Sequence, residues 1–386
     1  MKVVDLFLNE KQKLTLRNAC DTLCPESLFE PDAGNSAESL ADRIEALLAK
    51  RDVDAQKRMG ELLDQIESRM VALTITGSAT FFSKASREQR TKLLFGMSHS
   101  RIARLRTGFQ ALKRLVHFIA YADQQFGSSV WKEIEYPGHR PACEPVVQPL
   151  NIVHDPGDEE QECDVLVVGS GAGGAVVAAE MAAAGRKVIV VDKGSYFEGG
   201  FPKSELTGMH NAYEGGGLSA TDDLGIVLLA GSTVGGGTAV NWMTSLRPPE
   251  QLLTQWRNGF GLNQTFDDEF HFGLETIEQR LNVNTDESGG SLQNSILEQG
   301  CANLQTPATV IPRNVRNCTE CGFCCFGCDC GAKQDVRQTF LADACSNGAK
   351  IIPKCAVQEV IHVSGKVTGA LVEHRPAQGN SRKFQI

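Results

Sequence analysis

Apolar residues recur at helical intervals through the first third of the chain. Leu40, Ile44, Leu47 and Leu48 follow Ser36, a residue type that caps helix N-termini. Met59, Leu62, Leu63, Ile66 and Met70 repeat the pattern and predict a helix over Arg58–Leu73. A longer stretch, Arg101–Ala122, sets Ile102, Leu105, Phe109, Leu112, Leu115, Phe118 and Ile119 beside Arg101, Arg104, Arg106, Lys113 and Arg114. A basic amphipathic helix of this kind suits a membrane surface; it equally suits packing within its own domain, which is the reading favoured here. Near residue 163 the pattern changes. Asp164–Val168 is a continuous apolar strand signal that runs into Gly169-Ser170-Gly171-Ala172-Gly173-Gly174. An alanine-rich helix, Ala175–Ala184, follows and breaks at Gly185, and Lys187–Val191 then has the unbroken apolar character of a buried parallel strand. Lys350–Ile352, Val357–Val363 and Thr368–Glu373 read as further strands, with a turn at Ser364-Gly365-Lys366.

These elements predict an α/β fold: a helical region over 1–125, a Pro-rich and acidic linker over 126–162, and a Rossmann-like nucleotide-binding domain from Cys163 to Ile386. The linker assignment rests on Pro137, Pro141, Pro145 and Pro149 and on the acidic run from Asp155 to Glu162. A chain of 386 residues has room for two domains or three. Its net charge of −9, with no dense basic block, argues against nucleic acid as a partner. The first ten residues are charged early and have no small-residue cleavage site, so no signal peptide is expected. No apolar run reaches the ~18 residues of a membrane span. An intracellular protein with reduced thiols is the expectation, with peripheral membrane contact through Arg101–Ala122 as the alternative to free solution. The 13 cysteines then raise a metal hypothesis before a disulfide one.

Two glycine blocks carry the chemistry. In the first, Gly169 permits the tight turn out of the strand, Gly171 lets backbone approach a pyrophosphate, and Gly174 lets helix and sheet pack closely. Phosphates would sit at the helix N-terminus, where free N–H groups and the dipole favour negative charge. Asp192 ends the second strand 23 residues after Gly169, where an acid accepts hydrogen bonds from a ribose. Strand, turn, helix, strand and terminal acid occur in order, which makes this a strong dinucleotide signal. The second block, Gly231-Ser-Thr-Val-Gly235-Gly236-Gly237-Thr238-Ala-Val-Asn241-Trp242, is a backbone that a flat or anionic ligand can approach. Together the blocks indicate a flavin enzyme.

The order and spacing of these blocks resemble the glucose–methanol–choline (GMC) oxidoreductases, and within them the long-chain fatty alcohol oxidase branch. Four stretches carry the resemblance: Cys163–Asp192, Gly231–Arg247, the cysteine-rich Arg316–Ala344, and the helical Arg87–Ala122. The resemblance implies an FAD-binding domain over 163–386 joined to part of an antiparallel substrate-domain sheet. It implies oxidation of a primary, long-chain alcohol to an aldehyde, with hydride passing to flavin N5 and O2 or another acceptor taking the electrons. It implies that the cofactor is held by Gly169, Ser170, Gly171, Ala172, Gly173 and Gly174, by Asp192 and Lys193, and by Gly235, Gly236, Gly237, Thr238, Asn241 and Trp242, with the backbone of Val357 against adenine. The family's catalytic histidine lies in a C-terminal domain that finds no counterpart before Ile386, so the chain reads as C-terminally truncated. None of the eight histidines falls in a matching context, and no catalytic residue is assigned.

Cys318, Cys321, Cys324 and Cys328 follow the C-x2-C-x2-C-x3-C spacing of bacterial ferredoxins. Asp329 stands where a proline is usual, there is no second motif, and the oxidase branch carries similar cysteines, so free structural thiols are the favoured reading. A 4Fe-4S cluster, and with it a flavin and iron–sulfur electron-transfer subunit, is the alternative. A catalytically inactive truncated product is a third reading.

Overall fold

The computed structural model describes residues 7–29, 34–49, 53–136, 138, 146, 148–157, 160–262, 268–376 and 380–386. The chain start, His139 and the linker residues Pro137, Pro141 and Pro145 lie outside that set. The chain divides into two compact units. One comprises Met1–Arg140, Lys203–Thr207 and Gly217–Leu229; the other comprises Pro141–Pro202, Gly208–Gly216 and Ala230–Ile386.

The helices of the first unit are α1 (Glu10–Leu23), α2 (Ala37–Leu48), α3 (Val53–Ile66), α4 (Arg69–Thr76), α5 (Arg87–Ser98), α6 (Ala103–Ala122) and α7 (Gln124–Glu133). Asn9, Ser36 and Ser86 open α1, α2 and α5 with reciprocal capping boxes, so two otherwise orphaned N–H groups are satisfied at each start. The helix expected over Arg58–Leu73 is two helices, α3 and α4. The break follows from Glu67, which is 3% exposed and draws its carboxylate inward to Ser83 N at 2.8 Å, Ser83 Oγ at 2.6 Å and Thr15 Oγ1 at 3.3 Å. α7, from Phe126 on, falls inside the range read as linker. α6 buries Leu105, Phe109, Leu112, Leu115, Val116 and Ile119 in a core shared with Leu16, Leu40, Ile44, Leu63 and Ile66. Each such leucine or isoleucine contributes about 1.5–3 kcal/mol of transfer free energy. Leu206, far along the chain, belongs to the same core.

The second unit is built on a parallel sheet. Its elements, with α9 (Glu205–Ala212) spanning the chain between units, are β1 (Val165–Val168), α8 (Ala172–Ala183), β2 (Val188–Val191), α10 (Gly236–Val240), α11 (Glu250–Phe260), α12 (Asp268–Arg280), β3 (Val283–Asn284), α13 (Leu292–Asn303), β4 (Arg313–Asn314), α14 (Phe340–Ser346), β5 (Lys350–Ile352), β6 (Cys355–Val363), β7 (Lys366–His374) and β8 (Arg382–Gln385). The order β1-β2-β5 is parallel throughout, and Ile152 bridges onto Ile351 at the β5 edge. Strand alternation sorts the apolar residues into two layers. Val188, Val190 and Ile351 face the alanines of α8 and the buried side of α14. Ile189, Val191 and Ile352 face Ala370, Val372 and Phe384 of the antiparallel sheet β6-β7-β8. Covering both faces is what lets β2 read as a continuous apolar run. The fold is α/β, with N-terminal helices, a parallel nucleotide-binding sheet and antiparallel strands.

Candidate functional site

The first glycine block turns at the carboxyl end of β1. Gly169 has φ +91°, and its N–H donates to Val191 O at 2.8 Å, holding the turn against β2. Gly171 caps α8 from extended backbone, φ −68°. A Cβ on Gly174 would lie 2.0 Å from Gly169 O, so only glycine fits there. The amides of the first turn of α8 have no partner within the helix, which makes this terminus an anion site.

The second block meets the first. Gly235 N donates to Ser170 Oγ at 2.9 Å, and a Cβ on Gly236 would stand 3.0 Å from Gly171 Cα. Gly235 and Gly236 have φ of +93° and +54°, which β-carbon-bearing residues rarely adopt. Gly231 packs against Gly236, and Gly194 against Thr233, closely enough that a Cβ at either would fall within 2.5 Å of backbone. By contrast, a Cβ on Gly171, Gly173 or Gly237 would meet nothing within 4 Å. The wall is thus closed behind and open in front, a cradle of bare backbone that fits a flat dinucleotide.

Asp192 organises this junction. It is 7% exposed; one carboxylate oxygen accepts from Ser170 N at 2.8 Å and from Ser170 Oγ, and the other accepts from Gly194 N at 2.7 Å. Lys193 is ion-paired with Glu214 at 2.7 Å. Thr238 donates to Gly235 O at 2.7 Å, and Asn241 Oδ1 accepts from Met243 N at 3.1 Å, so both side chains brace the second block. Trp242 is 54% exposed beside them. Val357 is the third residue of β6 and packs against the cluster of Ile189, Val191 and Ile352, just before a bulge.

Three supporting residues have no signature in the sequence. Lys333 is 1% exposed and donates from Nζ to Ala239 O at 3.1 Å, Asn241 O at 2.6 Å and Cys324 O at 2.7 Å. It neutralises the carbonyl end of α10. Burial pulls its pKa below the ordinary lysine value, opposed by the charge of Asp335. Arg337 pairs with buried Asp335 at 2.7 Å, stacks 4.6 Å from the Phe201 ring centroid and packs against Gly235. In sequence they stand in the polar run Lys333-Gln334-Asp335-Val336-Arg337-Gln338, which reads as surface and gives no sign of their burial.

The iron–sulfur alternative finds no ligand set. Among the described residues no group of three or more His, Cys, Asp or Glu side chains is placed to hold a metal ion. Cys318, Cys321 and Cys328 lie near enough to Cys324 to raise its pKa, after burial, which is the larger cause; Lys333 opposes both. Local structure claims parts of the cluster: Cys318 N donates to Glu287 at 2.8 Å, and Cys318 and Cys328 sulfurs accept backbone N–H bonds. No disulfide joins any of the six cysteines from Cys318 to Cys330.

Three of the described histidines have structural settings. His99 bonds Ser98 and Phe95 O, His117 bonds Leu23 O at 3.1 Å, and His374 is 1% exposed. Among the described residues no helix is long and apolar enough to cross a membrane.

Comparison with known proteins agrees with this geometry. Residues 209–386 match the GMC oxidoreductase family model, 164–221 an FAD binding domain, and 10–138 the family of gluconate 2-dehydrogenase subunit 3. The long-chain-alcohol oxidase FAO4B of Arabidopsis thaliana is 40% identical over 206 residues, 53% of this chain and 28% of that protein. The long-chain-alcohol oxidase FAO1 of the same plant is 30% identical over 315 residues, 72% of this chain and 41% of that protein. The chain therefore spans less than half the length of these curated relatives. A crystal structure of pyridoxine 4-oxidase from Mesorbium loti overlays with a TM-score of 0.39 at 13% identity, covering 58% of this chain and 48% of that one. The chain is a homologue of the GMC oxidoreductases and of their long-chain-alcohol oxidase members, and its cofactor class is FAD.

Proposed function

We propose that this chain holds FAD across its two glycine blocks and supplies the cofactor-binding part of an enzyme that oxidises a primary long-chain alcohol to an aldehyde, with O2 as acceptor. The observation that carries the reading is the approach of Gly236 to Gly171, which joins blocks 65 residues apart into one open-fronted backbone wall. Gly169–Gly174 and the start of α8 would hold the pyrophosphate. Gly235–Gly237, Thr238, Asn241 and Trp242 would lie along the ring system, and Asp192, Lys193 and Val357 would flank the adenosine. Bound FAD supplies a hydride acceptor at N5. The residues of this chain bind and orient that group, and Lys333, Asp335 and Arg337 keep the glycine wall rigid. The substrate hydroxyl proton is assigned to none of this chain's histidines.

Gly171→Ala tests the cofactor site. Its backbone suits alanine and its Cβ would enter open space, so the thermal midpoint should stay unchanged. FAD affinity, read by quenching of flavin fluorescence, should fall at least about tenfold, because the methyl group occupies the pyrophosphate position. Unchanged affinity would place the cofactor elsewhere. Peroxide release with hexadecanol, a sugar and a sterol compared side by side tests the substrate class; turnover only of the sugar or the sterol would overturn the long-chain reading.

A further inference from the structure

A cavity of about 1320 Å³ lies in the helical unit, and the flavin reading makes no use of it. All of its lining comes from that unit: the end of α2, one side of α3, one side of α6 and the segment 217–229. That segment folds back on itself through the Ala220–Val227 bridge and the Leu228 N to Ser219 O bond. The wall is apolar over much of its length, through Met59, Leu62, Leu115 and Phe118 of the helices and Leu218 and Val227 of the segment. Lining residues on α6 run from Arg104 to Phe118, about 21 Å along the helix axis.

The polar part of the lining has an excess of positive charge. Arg104 is paired with Glu61 at 3.3 Å. Arg58 and Lys113 have no ion pair among the described residues. Arg114 Nη1 is shielded from solvent and has no hydrogen-bond partner. Against these cations stands one further carboxylate, Asp222. The Arg104–Glu61 pair and the contact of Leu62 with Gly108 bring α3 and α6 together, with Arg58 on the α3 side of the lining and Lys113 and Arg114 on the α6 side. An unpaired buried guanidinium N–H costs about 1–3 kcal/mol, and its planar fork matches a carboxylate. The geometry points to a binding site for a single-chain amphipathic anion, a long-chain carboxylate, with its alkyl chain along α6 and its head group at Arg114. None of its lining residues belongs to the glycine blocks, so the inference does not depend on the flavin reading.

The test is calorimetric titration of the whole chain, freed of lipid, with monomeric hexadecanoate, hexadecanol and anionic phospholipid vesicles. Saturable one-to-one binding of hexadecanoate, at least about tenfold tighter than hexadecanol, is expected. Arg114→Met should remove that preference while leaving hexadecanol affinity in place. Ala111→Trp, which fills the cavity, should abolish binding of both. Val227→Glu, at a 44% exposed position that leaves the core intact, should weaken hexadecanoate more than hexadecanol. FAD titration of the same variants should match wild type, which separates failure here from failure of the flavin site. No saturable binding, equal affinity for acid and alcohol, full affinity in both Ala111→Trp and Val227→Glu, or binding only to vesicles would each overturn the assignment.

Discussion

Glycines in this chain do two different jobs, and substitution separates them. Gly174 is a packing residue: a Cβ there meets the backbone carbonyl of Gly169 at 2.0 Å, an atom that cannot swing away. Gly174→Ala should therefore cost about 1–3 kcal/mol of stability, read as a lower urea midpoint, and lose FAD as a consequence. Gly171→Ala should lose FAD at unchanged stability, so the pair distinguishes fold from site. Lys333 shows how a charge supports such a wall from behind. Lys333→Met should cost about 1–3 kcal/mol by stranding three carbonyl groups, with faster release of flavin on gel filtration. A midpoint equal to wild type would mean those carbonyls find other donors.

Among the elements, the antiparallel sheet β6-β7-β8 contains a built-in acid sensitivity. His374 on β7 is 1% exposed, and its Nδ1 has no partner. Burial, and then the charges of Arg382 and Lys354, lower its pKa below 6.5, with Asp155 opposing. A lowered pKa means that the unfolded chain binds the proton more tightly. The contribution of His374 is therefore present above pH 6.5 and is lost as pH falls through the lowered value. The urea midpoint should drop across that window, and His374→Leu should flatten the drop; a profile unchanged by the substitution would remove His374 as the cause. The helices show where periodicity suffices. Ser36 and the spacing behind it placed α2 to within a residue, whereas the α3–α4 break depended on Glu67 reaching Ser83 and Thr15.

At the scale of the whole molecule, the helical unit is not one continuous stretch of chain. Lys203–Thr207 and Gly217–Leu229 join it from within the flavin-binding sequence, and Leu206 is 7% exposed in its core. Leu206→Ala should cost about 2–5 kcal/mol, felt first in the helical unit. Hydrogen exchange should speed up in α1–α7 while β1, β2 and β5 keep their protection. Equal loss in both units would show that they unfold as one.

Local pattern was enough for the strand–turn–helix around Gly169–Gly174, the apolar β2 and the capped α2, because backbone propensity, side-chain periodicity and glycine's missing Cβ act over a few residues. The resemblance carried by those blocks also indicated the cofactor class. The meeting of Gly236 with Gly171, the burial of Lys333 under three carbonyls, the division of the long N-terminal helix and the cationic cavity along α6 were decided by the tertiary structure alone. Each depends on which distant segments share a core, and burial changes the energy of a charge or a polar group far more than any neighbour in sequence does.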